Sequence, residues 1–135
     1  MKHKGKILLV DDDLDFLEMH QIVLENDGYE VLTAADAREG MDKVQVEMPD
    51  LIILDLMMEK HDSGFSFSKK IKSNPLFKEI PILMVTSVAN TTGYRFSMEE
   101  DGYWMKIDDF LEKPVNHDVL ISKIKELLSG KKVKK

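Results

Sequence analysis

Acidic side chains follow two apolar runs of the sequence. Three consecutive aspartates at 11–13 come directly after the run ILLV, and Asp55 comes directly after the run LIIL. Carboxylates at short range repel one another, so a cluster of them needs either a proton or a cation. Oxygen ligands without histidine or cysteine favour a hard ion, and Mg²⁺ binds one or two carboxylates while it keeps waters and phosphate oxygens. If the fold brings these acids together, they predict a Mg²⁺ site.

A hydroxyl group and an ammonium group end two further runs. Thr86 and Ser87 follow the run ILMV, and Lys113 follows the run DFLE. A carboxylate beside Mg²⁺ can attack a phosphoryl donor and form an acyl phosphate when an ammonium and a hydroxyl receive the other phosphoryl oxygens. This chemistry requires all four groups at one place.

Simpler structural roles are available for several of these side chains. A run of aspartates at a helix start is ordinarily an N-terminal cap that interacts with the helix dipole, and we assign Asp13 and Asp15 as caps or solvated acids. Asp55 favours a site, because an unpaired acid at the end of a buried strand is costly unless something compensates it. The histidines show no ligand spacing. Surface or half-buried structural roles are predicted for His3, His20, His61 and His117.

Short aliphatic runs alternate with stretches of helical period, without an internal repeat. The predicted strands are 6–10, 29–33, 51–54, 82–86 and 109–111. The third and fourth are apolar throughout, as expected for central parallel strands covered on both faces. Alternating βα units with right-handed crossovers give a doubly wound α/β sheet, in which ligands bind at the carboxyl ends of the strands. The predicted sheet therefore places the aspartates, Thr86 and Lys113 at one rim.

Three apolar stripes at i, i+3 and i+4 spacing predict helices that face this sheet. The stripes are Phe16, Met19 and Val23; Ala37, Met41, Val44 and Met48; and Leu120, Ile124 and Leu127. Asp36 and Asn116 are predicted caps at helix starts, and Gly28 is predicted to follow the first helix.

Length and composition indicate one domain, which we place at 1–129 with a basic tail at 130–135. The apolar runs are far shorter than the roughly 20 residues of a membrane span, so no membrane contact is predicted. The opening MKHKGKILLV leads straight into DDDLD and is predicted to be a strand, not a signal peptide. A sequence without cysteine suits a reducing compartment, and we predict the cytoplasm. The net charge of −6 argues against direct DNA binding.

The segments ILLVDDD, LIILDLMM, PILMVTS and DFLEKPV, in this order, resemble the response-regulator receiver family across nearly all of the chain. The resemblance implies a five-stranded flavodoxin-like sheet of order 2-1-3-4-5 with helices on both faces. It also implies that Asp55 accepts a phosphoryl group from a histidine kinase or phosphotransfer protein. Asp11 and Asp12 would hold Mg²⁺, Asp12 directly, with the main-chain carbonyl of Met57 as a further ligand.

The same resemblance implies roles for three more residues. Thr86 would form a hydrogen bond with the phosphoryl group and move with it. Lys113 would pair with this group as a point charge. Phe110 would occupy the position of the aromatic switch residue. The expected protein is therefore a stand-alone switch rather than an enzyme, and its output is contact with an unknown downstream protein.

Two departures from the family pattern and two alternative functions stay open. The loop after Asp55 is one residue longer than is common, and the segment 88–108 is long and rich in aromatic residues, which either pack on the domain or form a partner surface. The first alternative is a phosphatase of the haloacid dehalogenase type with Asp11 as nucleophile, although Asp15 stands where that pattern has Thr or Val. The second is a pseudo-receiver scaffold that is not phosphorylated.

Overall fold

The computed structural model describes residues 4–55, 63–86, 109–112 and 115–129. Within these ranges the elements are β1 Lys6–Val10, α1 Leu14–Asn26, β2 Glu30–Ala34, α2 Ala37–Glu47, β3 Leu51–Asp55, α3 Ser63–Ser73, β4 Ile82–Thr86, β5 Asp109–Glu112 and α4 His117–Ser129. The five predicted strands are confirmed. Their ends differ from the prediction by at most one residue, since β2 is displaced by one position and β3 and β5 end one position later.

The described strands form one parallel sheet in the order β2-β1-β3-β4-β5. The chain therefore adds β2 on one side of β1 and β3 on the other, which creates a switch point between β1 and β3. In the register of the sheet, Val10 lies beside Leu54 and Asp55 lies beside Val85. The predicted doubly wound sheet is confirmed, and its strands end together at the rim where the acids lie.

Apolar side chains cover both faces of the sheet. On one face, alternate strand residues such as Leu8 and Leu54 pack with α2 and α3. On the other face, residues such as Leu9 and Ile53 pack with α1 and α4. Every residue of β3 is buried, so its apolar run reflects a strand covered on both sides.

The predicted apolar stripe of α1 is confirmed only for Phe16, which packs against the core. Leu17, His20 and Leu24 are the buried residues of this helix, whereas Met19 is 51% exposed. The buried stripe has the same spacing as the predicted one but is displaced by one residue, which rotates it by about 100° around the helix axis. The apolar pattern did not predict the buried face of the helix, because a histidine occupies the middle of that face.

Hydrogen bonding and ring packing explain how His20 is accommodated. Its Nδ1 lies 2.9 Å from the main-chain oxygen of Phe16, so Nδ1 donates. Its ring stacks on the Phe16 ring at 4.0 Å between centroids and meets the His117 ring edge-on at 5.2 Å. The predicted structural role of this histidine is consistent with these contacts, but His20 is buried rather than half-buried, with 4% of its surface exposed.

The other two stripes are confirmed in their main members. Val44 is buried in α2, with Ala37 and Met41 packed against the core, while Met48 is 49% exposed at the left-handed residue that ends the helix. In α4, Leu120 and Ile124 are buried and Leu127 packs beside them. Among the described residues no helix is long and apolar enough to cross a membrane.

The predicted helix ends are also confirmed. Asn116 accepts a hydrogen bond from the Val119 amide at 3.1 Å before α4. Gly28 follows α1 with φ of +100°, a backbone conformation that glycine adopts without steric cost. Asp36 precedes α2, where its Oδ1 accepts from the Glu39 amide at 2.8 Å and Glu39 Oε1 accepts from the Ala35 amide at 2.9 Å.

Removing the cap of α2 should lower the stability of the fold. We expect Asp36→Ala to reduce the free energy of unfolding by about 1 kcal/mol, because the Glu39 amide in the first turn of the helix loses its side-chain acceptor. Urea denaturation followed by circular dichroism measures the change. Asp42→Ala removes an exposed acid from the middle of the same helix and should cause no loss. Equal losses in the two variants would contradict the capping role.

Candidate functional site

Three carboxylates meet at the carboxyl end of the sheet. Asp11, Asp12 and Asp55 each offer an oxygen atom, and these oxygens all lie within 4.8 Å of one another. The register explains the approach, because Val10 pairs with Leu54 and the next residues along the two strands are Asp11 and Asp55. The sequence prediction that the fold brings these acids together is confirmed.

The three acids differ in their exposure to solvent. Asp11 is 1% exposed and Asp55 is 6% exposed, whereas Asp12 lies on the surface. The main chain holds Asp11 in place, since its amide donates to the Ala34 carbonyl at 3.0 Å and its Oδ1 accepts from the Asp13 amide at 2.9 Å. Two acids of the cluster are thus buried, and the third, Asp12, lies on its solvent side.

Asp13 takes the structural role that the sequence predicts for it. Its Oδ1 accepts from the amides of Asp15 and Phe16, at 3.0 and 3.2 Å, and so caps the start of α1. The cap orients the helix with its N-terminus toward the run of aspartates. The partial positive charge at that end of the helix lowers the cost of gathering negative charge there.

Charge and chemistry together indicate what the cluster can bind. Three carboxylate oxygens at this separation repel one another strongly, because two of the acids are shielded from water. A hard divalent cation relieves that repulsion, and oxygen ligands of this kind are those that Mg²⁺ and Ca²⁺ use. Asp11, Asp12 and Asp55 can therefore hold a metal ion.

The backbone places Thr86, another predicted site residue, along the same rim. Thr86 is the last residue of β4 and directly follows Val85, the partner of Asp55 in the register. Thr86 in turn pairs with Glu112, the last residue of β5, and Phe110 lies within that strand. The register thus continues the line of strand ends from Asp11 through Asp55 to Thr86.

Several predicted features lie outside the described residues. They are the Met57 carbonyl, Lys113, the loop after Asp55, the aromatic segment 88–108 and the tail 130–135.

The fold and the acidic rim define a class of protein, namely a doubly wound α/β domain with a carboxylate cluster at its switch point. Residues 7–125 match the family described as response regulator receiver domain. The chain belongs to this family. Receiver domains are signalling domains of two-component systems, and histidine kinases or phosphotransfer proteins phosphorylate them.

Individual relatives support the same assignment. The chain is 34% identical over 123 residues to the alkaline phosphatase synthesis transcriptional regulatory protein PhoP of Bacillus subtilis, covering 91% of this chain and 48% of that protein. It is 36% identical over 124 residues to the response regulator Rre1 of Synechocystis, covering 91% and 51%. The chain spans about half the length of these curated relatives.

Solved structures resemble the fold over nearly its whole length. A putative response regulator from Chloroflexus aurantiacus has a TM-score of 0.82 at 32% identity, with 96% of this chain and 100% of that chain covered. The chemotaxis response regulator CheY4 of Vibrio cholerae has a TM-score of 0.79 at 34% identity, with 92% and 98% covered. The family assignment therefore disfavours the phosphatase alternative.

Proposed function

We propose that this chain is a phosphoacceptor switch, and that Asp55 receives the phosphoryl group from a histidine kinase or a phosphotransfer protein. One observation carries the proposal: Asp55, buried at the end of β3, has a carboxylate oxygen within 4.8 Å of those of Asp11 and Asp12. A buried acid held beside two others is costly unless it serves a purpose such as metal-assisted chemistry.

In the proposed step, a carboxylate oxygen of Asp55 attacks the phosphorus of a phosphohistidine. The new O–P bond forms as the N–P bond breaks, and the donor histidine leaves with the electron pair and takes up a proton. The product is an acyl phosphate on Asp55. The donor requires access, which the exposed position of Asp12 beside Asp55 supports.

The donor set fits Mg²⁺, with Asp11, Asp12, Asp55 and the Met57 carbonyl as the proposed protein ligands. When bound, Mg²⁺ neutralises charge on the carboxylates and on the phosphoryl oxygens. Asp12 would be a direct ligand, since it is the acid that faces solvent. Asp11 would support the site from the buried side, where its amide donates to the Ala34 carbonyl and its Oδ1 accepts from the Asp13 amide.

We assign the remaining roles from the family pattern and the strand register. Thr86 would donate a hydrogen bond to the phosphoryl group, Lys113 would pair with one of its oxygens, and Phe110 would respond as the aromatic switch. The output would be an altered contact with a downstream protein, since a net charge of −6 disfavours direct DNA binding. The cytoplasmic location and the stand-alone character stay predictions from the sequence.

Incubation of the purified protein with acetyl phosphate and Mg²⁺ tests the proposal. We expect a mass gain equal to one phosphoryl group when Mg²⁺ is present, and no mass gain when EDTA replaces Mg²⁺. Borohydride reduction followed by peptide mapping then locates the modified acid. Modification of Asp55 supports the switch, and modification of Asp11 supports the phosphatase alternative. A protein that gains no mass would be the scaffold.

A further inference from the structure

A groove between α2 and α3 is separate from the acidic rim. It has a volume of about 530 Å³ and is lined by Met41, Gln45, Lys70, Ser73, Asn74 and Pro75. Gln45 and Ser73 lie near the C-terminal ends of their helices. In βα units the helices run antiparallel to the strands, so these ends lie near the amino ends of the strands, opposite the acids. The groove is therefore independent of the phosphorylation chemistry.

The lining combines apolar surface with polar side chains that are able to bind a ligand through hydrogen bonds or an ion pair. Met41 packs against the core from one side, and Pro75 supplies apolar surface from the other. Among the described residues, the side chains of Gln45, Lys70 and Ser73 have no hydrogen-bond or ion-pair partner. An amide and a hydroxyl can both donate to and accept from a peptide main chain.

Hydrogen bonds hold the turn after α3, which forms one wall of the groove. Asn74 Oδ1 accepts from the Leu76 amide at 2.8 Å, which sets the turn after α3. The Lys72 ammonium donates to the carbonyls of Lys78 and Ile80, at 3.2 and 2.8 Å, and ties that turn to the helix. A preformed groove loses less entropy when a ligand binds.

The groove borders a basic surface on an acidic protein. Residues 66–80 contain four lysines and one glutamate, although the whole chain has a net charge of −6. Lys69, Lys70 and Lys78 are exposed, and no described carboxylate lies within ion-pair distance of them. The two glutamates of α2 already pair with other lysines, Glu39 with Lys43 and Glu47 with Lys6. The charge on this side is thus available to an anionic partner.

We propose that this groove binds a short acidic segment of a partner protein. An aliphatic side chain of the segment would lie against Met41 and Pro75, and a carboxylate would pair with Lys70. Gln45 and Ser73 would hydrogen-bond its main chain. A nucleic acid fits less well, because the lining offers a single cation and no aromatic ring on which a base could stack. The basic tail of the chain itself, KKVKK, is excluded by like charge.

Peptide binding followed by nuclear magnetic resonance tests the groove. The probe is a pool of fluorescein-labelled peptides that alternate glutamates and leucines at varied spacing, with a lysine-for-glutamate pool as the charge control. We expect the acidic pool to bind and to shift the amide signals of Met41, Gln45 and Ser73. Lys70→Glu should weaken binding about tenfold, because it replaces a contact with a repulsion. The matched control Lys69→Glu changes an exposed lysine of the same helix that does not line the groove, and should weaken binding less than about twofold.

Five outcomes would overturn the proposal, and the first four concern binding. They are the absence of acidic-peptide binding, signal shifts confined to other surfaces, equal losses in the two lysine variants, and tighter binding to anionic lipid vesicles than to any peptide. Concentration-dependent self-association that disappears in Lys70→Glu would also overturn it, because a second copy of the chain would then occupy the groove. Phosphorylation by acetyl phosphate should be the same in both variants, so a failure here is distinguishable from failure of the Asp55 assignment.

Discussion

Asp55→Asn should abolish the phosphoryl mass gain that acetyl phosphate and Mg²⁺ produce in the wild-type protein. The amide has nearly the shape of the carboxylate but lacks the negative oxygen that attacks phosphorus. The fold should survive, since the substitution removes one charge from a crowded buried cluster. In Mg²⁺-free buffer we expect the variant to be more stable than the wild type by about 1 kcal/mol. Intact-protein mass spectrometry and urea denaturation measure the two effects.

Asp13→Asn provides the matched control for this experiment. Asp13 belongs to the same run of aspartates, but its side chain caps α1, and asparagine caps a helix about as well as aspartate. The control should therefore accept the phosphoryl group at the wild-type level. Full labelling of Asp55→Asn would show that another acid is the acceptor. If that label mapped to Asp11, the phosphatase interpretation would replace the switch.

The strands were predictable because a buried strand has a continuous run of apolar residues in the sequence. A strand covered on both faces is apolar along its length, and β3 and β4 show this at every position before their last residues, Asp55 and Thr86. The helix face of α1 was not predictable in the same way. Its buried stripe includes His20, whose polar nitrogen is accommodated by the Phe16 carbonyl, a contact that exists only once the helix has formed. The spacing of apolar residues cannot predict that a polar residue is buried when its hydrogen-bond partner is present only in the folded chain.

The position of the acids was predictable, but their different environments were not. Strand ends in a parallel sheet meet at one rim, so Asp11 and Asp55 had to approach each other. Which aspartate of the run is buried depends on the hydrogen bond from the Asp11 amide to the Ala34 carbonyl, which continues the pairing of β1 with β2. The groove between α2 and α3 left no signal in the sequence, because it arises from the packing of two helices.

Asp12→Ala should weaken Mg²⁺ binding by about tenfold or more. Asp12 is the exposed acid of the cluster, and we assign it as a direct ligand. Substitution of a residue that only supports a ligand typically lowers metal affinity by about 10–100-fold, so loss of a direct ligand should lower it at least as much. Asp11 and Asp55 stay in place in this variant, so the remaining affinity measures what the two buried acids contribute. A Mg²⁺ titration followed through the amide signals of residues 11–13 gives the dissociation constant.

Asp15→Ala separates direct ligation from the general effect of negative charge. Asp15 is exposed in the first turn of α1 and is not one of the three acids that share the cluster. Both substitutions remove one charge near the same helix end, and an exposed charge at longer range is largely screened by salt. We therefore expect Asp15→Ala to change the dissociation constant less than about twofold at physiological ionic strength. An unchanged constant in Asp12→Ala, or similar changes in both variants, would mean that Asp12 acts on the metal only through the electrostatic field and that Asp11 and Asp55 are its carboxylate ligands.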